Sequence, residues 1–184
     1  MKDHDIGAVS SFSNETKNIF LVGFMGSGKT HWGKIWAANT GRSFIDLDEV
    51  IENVAGKTIA DVFETKGEDH FRKIEMDALR TCDAVSNTIV ASGGGTPCFY
   101  DNMQWMNEHG ITIYLMCTAP EVLKRVKLEQ AKRPLFKKRN EAELLFFIEQ
   151  KLKEREPYYS QAKYAVASNE LTLHSFPGII TNNL

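Results

Sequence analysis

Gly23-Phe24-Met25-Gly26-Ser27-Gly28-Lys29-Thr30 fits the pattern G-x-x-x-x-G-K-S/T at every fixed position. The glycines let the backbone turn its N–H groups inward around a triphosphate. Lys29 supplies a point charge to the β and γ oxygens, and Thr30 offers a hydroxyl to Mg²⁺. The flanking residues decide whether this is a nucleotide cradle or a chance match in a loop. Upstream, Asn18-Ile19-Phe20-Leu21-Val22 is a short apolar run rich in strand-forming residues. Downstream, Thr30 to Thr40 repeats apolar residues at helical spacing, with Trp32, Ile35, Trp36 and Ala38. Strand, loop, helix is the order a phosphate cradle requires.

A chain of 184 residues is expected to form one domain with inserted subregions. The net charge is −2 and the basic residues are dispersed, apart from a cluster at Lys132 to Arg139, which argues against a nucleic-acid surface. Cys82, Cys98 and Cys117 fall outside any metal or redox spacing, and their odd number argues against a disulfide framework, so a reduced, cytoplasmic setting is expected. No apolar run approaches the roughly 18 residues a bilayer span needs, so no membrane partner is expected. Residues 1 to 17 are polar and read as a disordered extension or an artificial addition.

Beyond the cradle helix, Gly41 reads as a stop, and Ser43-Phe44-Ile45 as a second strand running into Asp46-Leu47-Asp48. Carboxyl ends of strands face the ligand crevice in an open α/β sheet. Asp46 and Asp48 therefore flank the nucleotide if this strand neighbours the first; otherwise either caps the next helix. Residues 49–86 carry three helical patterns punctuated by Gly56 and Gly67, more chain than a crossover requires, and read as a helical insertion over the crevice. Inside it Arg72 and Glu75 stand at i, i+3, either a brace for the guanidinium or a solvated surface pair.

Thr88-Ile89-Val90-Ala91 reads as a third strand ending in Ser92-Gly93-Gly94-Gly95, where the missing side chains let a ligand approach the backbone. A helix over Asp101 to His109, closed by Gly110, precedes a fourth strand at Thr112 to Met116. Thr118-Ala119-Pro120-Glu121 opens the next helix as a capping box. The basic segment from about 130 to 140, with Leu135 and Phe136 to dock it, has the composition of a lid over phosphates. Glu141 to Glu154 is helical, Arg155-Glu156-Pro157-Tyr158-Tyr159 marks its disturbed end, and Tyr164 to Ala167 supplies a fifth strand. His31, His70, His109 and His174 show no metal spacing.

The ordered set of the cradle, Phe44-Ile45-Asp46-Leu47-Asp48, Gly67 to Glu75, Ser92 to Gly95, Arg133-Pro134-Leu135 and Arg155-Glu156-Pro157-Tyr158-Tyr159 resembles the shikimate kinase family, from residue 18 to about 167. The cradle is common to many nucleotide-binding proteins; the aspartate pair, F-R-x-x-E, triple glycine and R-P-L in this order are specific. The resemblance implies a three-layer α/β/α fold of the P-loop kinase type, with a five-stranded parallel sheet, a substrate-binding helical insertion and a mobile lid. It implies ATP as phosphoryl donor, Mg²⁺ as cofactor and shikimate as acceptor at its 3-hydroxyl. Gly26, Ser27, Gly28, Lys29 and Thr30 would hold the phosphates. Arg125 matches the adenine-contacting arginine, and Arg133 would arrive from the lid. Thr30 and, through water, Asp46 would hold Mg²⁺. Asp48 matches the residue that accepts the reacting hydroxyl, Arg72 and Arg155 the carboxylate-binding arginines, and Gly94 and Gly95 the backbone beside the substrate ring.

Lys29, Asp48 and Arg133 are thus the expected catalytic set, in a monomer. Ser168 to Gly178 departs from the resemblance: it lacks the basic residue many relatives place beside the adenine and offers only Pro177. Two other readings share the cradle. One is another small-molecule kinase, of the gluconate kinase kind; the other is a nucleotide-binding module without catalysis.

Overall fold

The strands are short and almost wholly apolar, which is what a parallel sheet covered on both faces demands. In the computed structural model, which describes residues 17–128 and 140–181, β1 (Asn18–Val22), β3 (Thr88–Ala91) and nearly all of β4 (Gly110–Met116) are buried. With β2 (Ser43–Asp46) and β5 (Tyr164–Ala167) they form a five-stranded parallel sheet in the order β2-β3-β1-β4-β5. Successive side chains along β1 point to opposite faces. Ile19 and Leu21 join Trp36, Ile113 and Phe176 in one core; Phe20 and Val22 join Leu47, Leu79, Val122 and Ile148 in the other.

The helices are α1 (Lys29–Thr40), α2 (Leu47–Ala55), α3 (Ile59–Thr81), α4 (Asn102–His109), α5 (Ala119–Leu128), α6 (Glu141–Tyr159) and α7 (Ser175–Thr181). From β1 the chain proceeds through α1 to β2 at one edge, whereas from β3 it returns through α4 to β4 on the other side of β1. Connections that diverge from neighbouring strands open a crevice at their carboxyl ends. The cradle follows β1 and the triple glycine follows β3, so both border that crevice.

Several expectations need correction. β2 lies beside β3, not β1, so the adjacency proposed for the aspartates fails. They still reach the cradle, because α1 begins above the sheet and carries Thr30 across to Asp46. On α1 the buried alanine is Ala37, and Ala38 is exposed. The helix α6 ends at Tyr159, within the stretch expected, but helical up to that residue: Pro157 costs it only the N–H that proline lacks, in the last turn. α7 was not foreseen at all; it is short and weakly amphipathic in sequence, yet Phe176 is buried in the Trp36 core. The segment 1–17 apart from Lys17, and the lid apart from Asn140, lie outside the described residues. Among the described residues no helix is long and apolar enough to cross a membrane.

Gly110 closes α4, as expected, but in extended backbone that any residue adopts, and it is also the first residue of β4. Its reason is space. A Cβ there would lie 2.4 Å from the carbonyl oxygen of Asn18, its partner on β1, and 2.7 Å from the Phe20 ring. Gly110→Ala is therefore expected to force β1 and β4 apart at a cost of about 1–3 kcal/mol. Thermal unfolding should register it at about 2–4 °C per kcal/mol in a chain of this size. An unchanged midpoint would mean that the two strands have slack at this pair.

Candidate active site

The cradle's turns are where the sequence put them. Gly26 (φ 75°) and Gly28 (φ 96°) lie in the left-handed region that L side chains avoid. α1 starts immediately after Gly28, so its first N–H groups face the loop's concavity. Ser27 is fully buried and fixes the loop through its N–H to the Phe24 carbonyl, 3.1 Å. Lys29 lies across the loop, donating to the carbonyls of Gly23 (2.8 Å) and Phe24 (2.9 Å). Thr30 Oγ1 donates to Asp46 Oδ2 at 2.7 Å. Asp46 also accepts from the Asp48 N–H at 3.1 Å, capping α2. Asp46 therefore supplies the cap, and both aspartates line the cleft beside the cradle.

These groups share one cleft of about 820 Å³, whose lining includes Lys29, Thr30, Asp46, Asp48, Gly94 and Arg125. Arg125 reaches it from α5, donating to the Gly26 carbonyl (2.8 Å) and to Ser168 Oγ (3.2 Å). Asp48 keeps solvent-exposed surface, yet it stands among the walls of this cleft. Crowding by its walls, with a further push from Asp46, raises its carboxyl from 3.8 to about 6; Lys29 pulls it down, and Glu75 and Glu52 push it up less. A carboxylate near 6 is a better proton acceptor at neutral pH than an ordinary aspartate.

The second half of the site meets the first at the glycine run. Gly93, not singled out within the run, is as tightly enclosed at its nearest contact as Gly95: a Cβ there would lie 2.7 Å from Glu75 Oε1 and 3.1 Å from Asp48 Oδ1. At Gly95 it would lie 2.7 Å from Arg72 Nη1, and at Gly94, 3.5 Å from Arg155 Nη1. Arg155 donates to the Gly94 carbonyl at 3.1 Å, and the buried Tyr159 hydroxyl donates to the same oxygen. The continuation of α6 past Pro157 is what brings Tyr159 there. Arg72 and Glu75 are a buried pair, not a surface one. Nη1 meets Glu75 Oε2 at 2.8 Å with side chains 9% and 1% exposed, and Thr96 Oγ1 donates to the other oxygen at 2.6 Å. The Phe99 ring centroid lies 4.0 Å from the Arg72 Cζ.

Two cations and three side-chain-free residues thus stand beside an elevated carboxylate, at the end of a phosphate cradle. The family model for shikimate kinase matches residues 25–177. Shikimate kinase of Parabacteroides distasonis is 40% identical over 168 residues, 91% of this chain and 97% of that one. The chain belongs to the shikimate kinase family. Shikimate kinase from Bacteroides thetaiotaomicron superposes with a TM-score of 0.85 at 36% identity, over 91% of this chain and 97% of its own. Shikimate kinase from Acinetobacter baumannii, in complex with shikimate, gives 0.78 at 33% identity, over 91% and 95%.

Of the residues the shikimate kinase resemblance singled out, Gly26, Gly28, Lys29, Thr30, Asp46, Asp48, Gly94 and Arg125 line this cleft; Ser27 is buried in the loop, Arg72, Gly95 and Arg155 meet on the glycine-run side, and Arg133 lies outside the described residues. Pro177 is not in it: with Trp36 and Phe176 it lines a separate cavity of about 230 Å³. Asn169, Leu171 and Trp32 line the cleft instead. Nothing in sequence marked Leu171, which lies in the irregular stretch between β5 and α7, three residues short of Ser175. Tyr159 stood inside a quoted motif, yet only its contact with Gly94 gives it a role. Cys98 and Cys117 border the site as thiols, each pushed up to about 11 by burial, and offer no thiolate nucleophile at neutral pH.

Proposed function

We propose that this cleft transfers the γ-phosphoryl group of ATP to the 3-hydroxyl of shikimate, giving shikimate 3-phosphate and ADP. The observation that carries the reading is Asp48, raised to about 6, at the seam between Lys29's cradle and the Arg72–Gly93 side. The acceptor hydroxyl donates to Asp48. Its oxygen attacks the γ-phosphorus, the bond to the bridging oxygen of ADP breaks, and Asp48 takes the proton. Arg72 and Arg155 hold the acceptor's carboxylate, with Gly94 and Gly95 giving it room. Guanidinium groups suit a planar anion.

Lys29 leaves the loop carbonyls for the β and γ oxygens and, with Arg133 from the segment at about 130–140, balances charge on the group in transfer. Arg125, Asn169 and Leu171 border the nucleotide's base. Thr30 and Asp46 present hard oxygens 2.7 Å apart; among the described residues no cluster of three or more His, Cys, Asp or Glu offers a complete metal cage. That donor set fits Mg²⁺, which keeps waters and phosphate oxygens as ligands and would neutralise phosphate charge there. In the same reading, residues 18–184 act as one catalytic domain with its insertion at about 49–86, as a cytoplasmic monomer, and residues 1–17 have no catalytic role.

The test is ADP release with ATP, Mg²⁺ and shikimate, run beside gluconate and nucleoside monophosphates. Shikimate-dependent turnover is expected; its absence, or preference for gluconate, ends the reading. The pH profile sharpens it. A base with a pKa of about 6 must be ionised, so kcat/KM should be flat above that pH and fall about tenfold per unit below it. A profile flat to pH 5 would take proton acceptance away from Asp48.

A further inference from the structure

Arg72 carries two carboxylates of its own chain, and they differ in kind. Glu75 is 1% exposed and bound through its other oxygen to Thr96. Glu68, one turn earlier on α3, is 54% exposed. Its Oε1 takes both donors of the guanidinium's side fork, Nε at 3.1 Å and Nη2 at 3.0 Å. Two parallel N–H groups on a planar cation are the arrangement that binds a carboxylate. Glu68 therefore occupies a ready-made carboxylate site with a group that solvent can take back.

The surroundings make the exchange one-sided. Gly95 and Phe99 confine the guanidinium, and Glu75 anchors it, so Arg72 stays in place. Glu68, by contrast, directly follows Gly67, whose φ of 81° and ψ of 174° break the helix, with no atom within 4 Å of where a Cβ would stand. Glu68 is the first residue of the second helical segment, at a break with open space beside it.

We infer that Glu68 is an internal competitor for the carboxylate-binding fork of Arg72, displaced when the acceptor's carboxylate arrives, and that it sets acceptor affinity by this exchange. The inference rests on Arg72 being the carboxylate-binding residue of the proposed reaction. A bracing role for Glu68, holding Arg72 in orientation, has the opposite sign: its loss would weaken binding.

The deciding measurement is shikimate affinity, by calorimetry without nucleotide and as KM with ATP, in the parent, Glu68→Ala, Glu68→Gln, Arg72→Ala, the Arg72→Ala/Glu68→Ala pair, and Asp69→Asn. Half-exposed ion pairs are weak, so Glu68→Ala should tighten shikimate Kd and KM by about two- to fivefold, with the KM for ATP unmoved. Glu68→Gln, isosteric, should follow in the same direction by less. Asp69→Asn removes an equal charge from the neighbouring exposed residue and should leave affinity where it was. On the Arg72→Ala background, Glu68→Ala should do nothing. Unchanged or weaker binding in both Glu68 variants, while Arg72→Ala still weakens it, overturns the competitor and leaves the proposed function standing. An equal gain from Asp69→Asn would reduce the effect to general charge and also overturn it. Undiminished affinity in Arg72→Ala would remove the carboxylate site itself, and with it both readings.

Discussion

Asp48→Asn lowers kcat by about 10²- to 10⁴-fold, the range a positioned proton acceptor contributes, while ATP binding stays within a few-fold of the parent. Asparagine keeps the shape and can still accept a hydrogen bond from the acceptor hydroxyl, but it cannot take the proton as the new bond forms. The loss should therefore appear in the chemical step, with kcat and kcat/KM falling together. The acid limb near pH 6 should vanish with the carboxylate.

Stability supplies an independent reading of the same residue. A carboxyl raised from 3.8 to about 6 in the folded chain binds a proton between those values that the unfolded chain has released. Its stabilising contribution is complete below pH 4 and is lost as pH rises through 6. Above pH 6 the folded protein holds a charge that crowding and Asp46 disfavour. The substitution should consequently raise the unfolding midpoint at pH 7.5, by a margin that narrows toward pH 5. A dead enzyme that is also less stable at pH 7.5 would point to a disrupted α2 terminus, since Asp48 stands two residues after its cap; calorimetry and the ATP titration separate the cases.

Much of this site was legible because its key spacings are local. The left-handed turns at Gly26 and Gly28, the helix beginning at Lys29, and the two-residue step from Asp46 to Asp48 are all fixed by neighbours in sequence. So are the ends of β3 and β5, each bounded as the apolar run suggested. Other features depend on residues far apart in the chain. Gly110 ends a helix, as its sequence suggested, but what requires a glycine there is Asn18's carbonyl, which only β1–β4 pairing brings against a would-be Cβ. The burial of the Arg72–Glu75 pair depends on Thr96 and Phe99 folding over it. Pro157 does stand near the end of α6, but the last turn stays helical because tertiary contacts hold it closed: Tyr159 on Gly94 and the Tyr114 hydroxyl on Glu156, 2.8 Å. Glu68 was within reach of a sequence argument, standing four residues before Arg72. Spacing alone, however, does not say that it fills the fork of a guanidinium otherwise free to bind an anion.

Glu75→Ala is the substitution with the largest expected effect on stability, and it reports on function at the same time. Glu75 is 1% exposed, with one oxygen on Arg72 Nη1 and the other on the Thr96 hydroxyl, whose residue is fully buried. Its removal strands part of a guanidinium that is itself nearly buried and leaves Thr96 without its acceptor. Breaking one side of a buried ion pair costs about 3–5 kcal/mol, which at about 2–4 °C per kcal/mol for a chain of this length lowers the unfolding midpoint by roughly 10 °C. Glu75→Gln is the informative companion. The amide oxygen can face Arg72 while its NH₂ donates to Thr96 Oγ1, because a hydroxyl accepts as readily as it donates. The hydrogen bonds then survive, only the charge is lost, and the destabilisation should be clearly smaller. Glu75→Ala should weaken shikimate binding, since Arg72 loses the anchor that fixes its direction, and Glu75→Gln, which keeps that hydrogen bond, should weaken it less. Both should also move the acid limb of kcat/KM to lower pH, because the Glu75 charge is one of those that push Asp48 up. A stability loss without the pH shift would make Glu75 a packing residue only. Equal midpoints for Ala and Gln would locate the stabilisation in the charge and not in the paired hydrogen bonds. The opposing pull of burial and pairing at this one carboxylate is what joins the acceptor side of the cleft to the proton acceptor beside the cradle.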